Sequence, residues 1–286
     1  MRIVPLAGDS LGARSMATFV ETDDVSILLD PAVRLAPVRY DLPPHPQEKD
    51  RQRDLWKMIR EHARKADVLT VSHYHYDHHN PDAPSIFRNR TAYLKDSAFH
   101  INRSQRERAS VFRKAIAPYA KTVFVADGAE ANFGGTVVRF SPAVPHGFSD
   151  ELGYVVMLSV RDSDTTFVHT SDVEGPPMKA QLSWILAENP DVLYCDGPMT
   201  HMPENFPEEQ TRKSLANLER IVRSTDLHTL IVDHHILRDR AWRARTDPVY
   251  RAGEDHGVRV TTAAEYAGRK LDPLEFRRDE LYGIRG

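Results

Sequence analysis

The sequence predicts an α/β protein in which mixed β-sheets are covered by helices. Three observations carry that expectation. Apolar runs of strand length recur along most of the chain, two pairs of them are joined by short turn-forming tetrapeptides, and segments of helical spacing separate the later runs.

The runs fall at 2–6, 17–20, 25–29, 68–71, 122–125, 136–140, 154–160, 165–168, 192–194 and 230–232. Many are rich in β-branched residues, which suit a pleated and half-buried surface. Glu21-Thr22-Asp23-Asp24 joins the second run to the third, and Arg161-Asp162-Ser163-Asp164 joins two later ones, so both pairs are expected to be hairpins. Helical periodicity is clearest over 47–66, where Leu55, Ile59, His62, Ala63 and Ala66 share a face. Further helices are expected over 102–117, 178–188 and 208–224, the last opening on Pro207 with Glu208 and Glu209 in its first turn. Hairpins come first and strand–helix alternation later, which favours mixed sheets over a uniformly parallel one. The proline-rich stretch 31–46 is expected to be a long surface loop.

With 286 residues and 41% hydrophobic content, the chain can bury one large core, so a single domain over residues 1–286 is expected. The formal net charge of -3 argues against a surface devoted to nucleic acid, although a local basic patch is compatible with it. One cysteine, Cys195, forms no internal disulfide and is expected to be a buried small residue. The opening residues include Arg2, Asp9 and Arg14 in place of a secretory apolar stretch. A cytoplasmic protein without membrane insertion is the expectation, with a homo-oligomer expected on base rates alone.

The chemistry concentrates in histidines at the ends of apolar runs: His73, His75, His78 and His79; His146; His169; and His234 with His235. Strand ends share an edge of a sheet, so segments distant in sequence can converge there on one cleft. In the first cluster, alternating His73 and His75 can aim to one side, while Asp77 and His78 turn to a second position. One loop could thereby serve two cations. Imidazole and carboxylate donors suit Zn²⁺, the default here, and also Mn²⁺ or Fe²⁺.

His73-x-His75-x-Asp77-His78 resembles the signature of the metallo-β-lactamase superfamily, and other parts of the chain resemble its remaining motifs in order. Asp30 resembles the early aspartate that orients a metal-binding histidine. His146 resembles the isolated third ligand, Asp172 the bridging aspartate and His235 the last histidine. The resemblance spans about residues 2–235 and implies an αβ/βα four-layer sandwich, two mixed sheets between helical layers. It also implies two divalent metal ions, one held by His73, His75 and His146 and the other by Asp77, His78 and His235, with Asp172 bridging. His235 is preferred to His234 because of its distance past the strand. Ser10-Leu11-Gly12-Ala13-Arg14-Ser15 and the wording around His73 are similar to a largely archaeal branch of predicted hydrolases, a likeness that does not specify the substrate.

The implied activity is metal-dependent hydrolysis. Departures from the pattern argue against other branches: diiron oxidoreductases of this fold place glutamate at the His75 position, and common β-lactamases place cysteine at the Asp172 position. The tRNA-processing ribonucleases usually show glycines where His79-Asn80-Pro81-Asp82 stands. Arg14 and Arg238 are candidate binders of a small or oligomeric anionic substrate, with phosphodiesters slightly favoured over carboxylic esters, lactones and thioesters. The basic segment from Arg103 to Lys114 is expected to be a charged outer face. Asp77 and His201 are candidates for the leaving-group acid, and His79, His169 and His234 for support behind the ligands. A sensory or interaction protein with a filled metal shell is the non-enzymatic alternative.

Overall fold

The computed structural model describes residues 1–285. Its first sheet runs in the order β1 (Arg2–Pro5), β2 (Thr18–Glu21), β3 (Ser26–Leu29), β4 (Val68–Val71), β5 (Thr91–Leu94) and β6 (Thr122–Val125). The first three strands are antiparallel, the β2–β3 turn being the expected hairpin. From β3 to β6 the pairing is parallel, as crossovers through α1 (Pro46–Ala63) and α2 (Arg103–Ile116) allow.

The second sheet contains β7 (Glu130–Phe133) and β8 (Thr136–Phe140). After a separate two-stranded ribbon of β9 (Val144–Pro145) and β10 (Tyr154–Val155), the sheet continues with β11 (Leu158–Arg161) and β12 (Thr166–His169). The remaining strands are β13 (Val192–Asp196), β14 (Thr229–Asp233) and β15 (Arg259–Thr261). Its spatial order is β15-β14-β13-β12-β11-β8-β7. The β11–β12 pair is the second expected hairpin, and β12 to β15 are parallel, linked through α3 (Lys179–Glu188), α4 (Glu208–Ser224) and α5 (Trp242–His256).

Strand alternation produces four layers. Ile27 and Leu29 of β3 meet Phe140, Phe167 and Ile231 between the sheets, whereas Leu28 turns outward onto the Leu55 and Phe112 side chains of α1 and α2. On the other sheet, Ile231 points inward, and Leu230 and Val232 pack with Leu218 of α4 and Val249 of α5. This is the expected αβ/βα sandwich. Among the described residues, no helix is long and apolar enough to cross a membrane.

The expected strand over 154–160 is divided. Its first part pairs with β9 and its second joins the large sheet, while the Val156 N–H between them donates to the Ser72 carbonyl at 3.1 Å. That bond ties the second sheet to the histidine loop. Strands β5, β7, β9 and β15 and helix α5 lie outside the sequence expectations. For α5 the reason is Pro248 in its interior, which removes a donor and normally ends a helix. Burial of Trp242, Val249 and Ala252 against the second sheet compensates.

Candidate metal centre

The loop after β4 is built around Asp30, which follows β3 in a left-handed conformation, φ 46°. Its Oδ1 accepts the Ser72 N–H at 2.7 Å, and its Oδ2 accepts the Ser72 hydroxyl at 2.6 Å and lies 2.8 Å from His78 Nδ1. Because β3 and β4 are parallel neighbours, their ends bring these groups together. With Nδ1–H donated to Asp30, His78 presents Nε2 as a lone pair once its second proton is released.

Asp172, just past β12, faces two separate sets of donors. One carboxylate oxygen, Oδ2, is 3.4 Å from His73 Nε2 and 3.1 Å from His146 Nε2. The other, Oδ1, is 3.0 Å from His78 Nε2 and 3.5 Å from His234 Nε2. Donor atoms of His73, His75, His146 and Asp172 all lie within 4.8 Å of one another, as do those of Asp77, His78 and His234. Tetrahedral donors at the usual zinc distances are about 3.3 Å apart, so these spacings match pairs of atoms sharing a cation. His73 Nε2, His78 Nε2 and Asp172 Oδ1 are buried without a hydrogen-bond partner. Buried polar atoms are rarely left so, and a divalent ion would satisfy all three. The donor set therefore fits bound divalent metal.

The sequence favours His235 for the second group; in the structure His234 Nε2 lies 3.7 Å from Asp77 Oδ2, and donor atoms of Asp172, His234 and His235 also lie within 4.8 Å of one another. His234 adopts φ 65°, which swings its ring toward Asp77, while the Nδ1 of His235 lies 2.9 Å from Asp196 Oδ2 and its backbone N–H donates to Asp196 Oδ1. His235 still lines the cleft.

Three carboxylates beyond the expected Asp30 hold the outer nitrogens of histidines. Asp9 lies 2.8 Å from His234 Nδ1, Asp196 holds His235 as above, and Glu174 lies 3.3 Å from His146 Nδ1. Ser171 and Glu174 also have positive φ, at 54° and 56°, so left-handed non-glycine backbone clusters at this site. Burial raises the cost of the charged forms, yet Asp172 and its neighbours reverse the outcome. Burial pulls His146 down, but its hydrogen bond to Asp172 and the nearby Glu174 carboxylate leave it pushed up to about 10. Against the same burial penalty, Asp172 and Asp9 lift His234 to about 10, and Asp172 and Asp30 lift His78 well above its ordinary value. His73, dominated by burial, falls to about 4.

His169 accepts the Ser171 N–H through Nδ1 at 3.2 Å and contacts the Met16 carbonyl through Nε2, a brace behind the Asp172 loop. His79 contacts the His75 carbonyl at 2.8 Å and packs edge-on against Phe112, facing away from the donors. His201 is on the cleft wall, where burial and the cations Arg238, Arg39 and Arg14 depress it to about 3. It is a neutral imidazole at neutral pH, suited to hydrogen bonding and poorly suited to giving up a proton as a cation. Cys195 is buried.

The cleft, about 650 Å³, is lined by His75, Asp77, Asp172 and His235 together with Arg14, Arg34, Arg108 and Arg238. The two expected arginines are engaged. Arg14 donates twice to Glu275, each at 2.6 Å, and Arg238, 3% exposed, donates to Asp9 at 2.9 Å. Arg108 corrects the reading of its helix as only an outer face, because it turns into the cleft.

Comparison with solved structures agrees with this architecture: the protein has the metallo-β-lactamase fold. Igni18, a metallo hydrolase of Ignicoccus hospitalis, is 14% identical with a TM-score of 0.54, covering 91% of this chain and 93% of its own. Zn²⁺-bound PqqB of Methylobacterium extorquens is 12% identical with a TM-score of 0.53, covering 92% and 98%. CmlA, a diiron β-hydroxylase of Streptomyces venezuelae, is 12% identical with a TM-score of 0.52; the match covers 88% of this chain but only 51% of CmlA. No family model matches the chain. Among curated proteins, a UPF0282 protein of Saccharolobus solfataricus is 44% identical over 99% of this chain and 93% of its own length. One of Korarchaeum cryptofilum is 44% identical over 99% and 95%. The chain belongs to the UPF0282 family.

Proposed function

We propose that the protein is a dinuclear metal-dependent hydrolase acting on an anionic ester, with phosphodiesters favoured. The observation that carries this reading is the division of Asp172, whose two oxygens each face a different group of histidines. His73, His75, His146 and Asp172 would hold one ion, and Asp77, His78, Asp172 and His234 the other. Two divalent ions so held, with zinc the first choice for this donor set and Mn²⁺ or Fe²⁺ alternatives, supply Lewis acidity and a hydroxide nucleophile near neutral pH.

The chain's own residues orient the reaction. Asp30, Glu174 and Asp9 fix the rings of His78, His146 and His234, so the ligands need little rearrangement when metal binds. His235, anchored by Asp196, is placed on the cleft wall to hydrogen-bond the substrate or its leaving group. Leu35, Leu152 and Met199 supply an apolar wall that displaces water. That wall also favours a second reading, hydrolysis of a carboxylic ester, lactone or thioester with an apolar acyl chain. The open cleft beside both donor groups favours catalysis over a purely sensory metal site.

The test is metal analysis of the purified protein followed by turnover of phosphodiester, lactone and thioester substrates after reconstitution with Zn²⁺, Mn²⁺ or Fe²⁺. Two metal equivalents and metal-dependent hydrolysis are expected. Fewer than one equivalent under every condition, or two equivalents without turnover of any substrate class, would overturn the assignment.

A further inference from the structure

The four arginines of the cleft divide into two kinds. Arg14 and Arg238 are neutralised by Glu275 and Asp9. Arg108 has no ion-pair partner among the described residues and is held by the Tyr74 carbonyl at 3.3 Å. Arg34 reaches the Asn80 side-chain oxygen at 3.5 Å and Asp82 at 3.4 Å, and that carboxylate is 81% exposed. Both guanidinium groups lie over one aromatic ring: the central carbon of Arg34 is 5.5 Å and that of Arg108 4.9 Å from the centroid of Tyr76. Tyr76 directly follows His75, is 43% exposed and stacks on His79 at 5.3 Å.

A ring face and a carbonyl position a guanidinium without cancelling its charge. Two such groups at one cleft mouth leave ten N–H donors facing solvent or a ligand, less those already bound, in the forked geometry that matches phosphate oxygens. We propose that Arg34, Tyr76 and Arg108 form a subsite for a second phosphate group on the substrate, separate from the ester that is cleaved. The proposal rests on the hydrolase reading above and narrows its substrate class to phosphodiesters carrying a further phosphate. The subsite and the donor groups share one cleft, so a single molecule can engage both.

Two measurements test it. The first uses the zinc-loaded full chain and thymidine 5′-(p-nitrophenyl phosphate), with and without a 3′-phosphate. The 3′-phosphate is expected to lower KM by roughly tenfold in the wild type, and the R34A/R108A variant loses that advantage. R34K/R108K, which keeps both charges, retains part of it. R88A/R90A, in a separate arginine-lined groove with Arg60 and Arg64, keeps all of it. A wild-type KM indifferent to the 3′-phosphate, or an advantage that survives R34A/R108A, overturns the proposal. The second is calorimetric titration of the chelator-treated full chain with inorganic tripolyphosphate, which needs no turnover. Roughly tenfold weaker binding in R34A/R108A, with R88A/R90A unchanged, supports the subsite. Equal affinity in the wild type and R34A/R108A, or an equal loss in both double variants, overturns it. Failure of metal binding with the tripolyphosphate difference intact would instead sink the hydrolase reading alone.

Discussion

Replacing Asp30 separates the two tasks of one carboxylate. It is 1% exposed, accepts two bonds from Ser72, holds His78 Nδ1 and adopts φ 46°. In Asp30→Ala, the Ser72 N–H and His78 Nδ1 lose their partner at about 1–3 kcal/mol each, the Ser72 hydroxyl keeps Ser171 Oγ at 2.7 Å, and the left-handed backbone adds about 1 kcal/mol. A loss of at least about 3 kcal/mol is expected. For a chain of 286 residues that corresponds to a Tm about 5 °C lower in chelator-treated protein. Asp30→Asn behaves differently. Asparagine tolerates positive φ and still accepts the Ser72 N–H, so its Tm falls by only about 2–3 °C. Its amide, however, offers N–H where His78 Nδ1 met a carboxylate. The ring then carries its proton on Nε2, the atom 3.0 Å from Asp172 Oδ1, and has no lone pair there for a cation. Affinity for the second metal is expected to fall about 10–100-fold. Competition with a chelator of known affinity, with metal counted by mass spectrometry, measures it. Two equivalents bound by Asp30→Asn with wild-type affinity would refute the tautomer argument.

Other expectations follow from the same geometry. His234→Ala should lose about one metal equivalent, whereas His235→Ala should keep both and lose turnover, as elemental analysis and a paired assay would show; the opposite pattern would restore His235 as the ligand. His146 and His234, both pushed up to about 10, and His78, raised well above its ordinary value, carry protons in the metal-free protein at pH 7.5 and must release them when metal binds. Calorimetry in buffers of different ionisation enthalpy should therefore report about three protons released on filling both positions, and apparent affinity should rise with pH; binding without proton release would contradict it. Asp9 is held at about 2 because Arg238 and His234 outweigh its burial, while its ordinary value is 3.8. Its folded-state value is the lower one, so the unfolded chain binds more protons between these values. Roughly 2 kcal/mol of stability is then present above about pH 4 and is lost as pH falls toward 2. Urea midpoints of the metal-free wild type and Asp9→Asn should converge over that interval, and a constant difference would count against the pairing.

Most of the architecture was legible because local pattern and final environment agree. The tetrapeptides at 21–24 and 161–164 close hairpins, and Leu28, between Ile27 and Leu29, alternates across a sheet buried on both faces. Where the two disagree, the reading failed. Glu130–Phe133 is an edge strand with polar side chains on its exposed face, so it lacks an apolar run. Thr91–Leu94 is only four residues long, between the basic Arg90 and Lys95. Lys95 is itself buried, its charge met by Asp127 at 2.6 Å, a pairing invisible to hydropathy.

The site shows the same division more sharply. The run from His73 to His78 announces itself because its donors are close in sequence, and Asp30 could be placed through the family resemblance. Asp9, Glu174 and Asp196 carry no comparable signal. Asp9 reaches His234 across 225 positions, and only the packing of the turn after β1 against the end of β14 makes them neighbours. The choice between His234 and His235 shows why counting residues past a strand is insufficient. β14 extends to Asp233, whose carboxylate accepts the N–H groups of Ser10, His234 and Ala263 and pins the strand end. The next residue must turn sharply, and its positive φ directs the first imidazole toward Asp77 and leaves the second to Asp196. Adjacent side chains on a turning backbone point in different directions, so a one-residue ambiguity in sequence becomes a choice of which imidazole faces Asp77 and which faces Asp196. That orientation is set by a buried carboxylate, Asp233, that touches neither of the two rings' outer nitrogens.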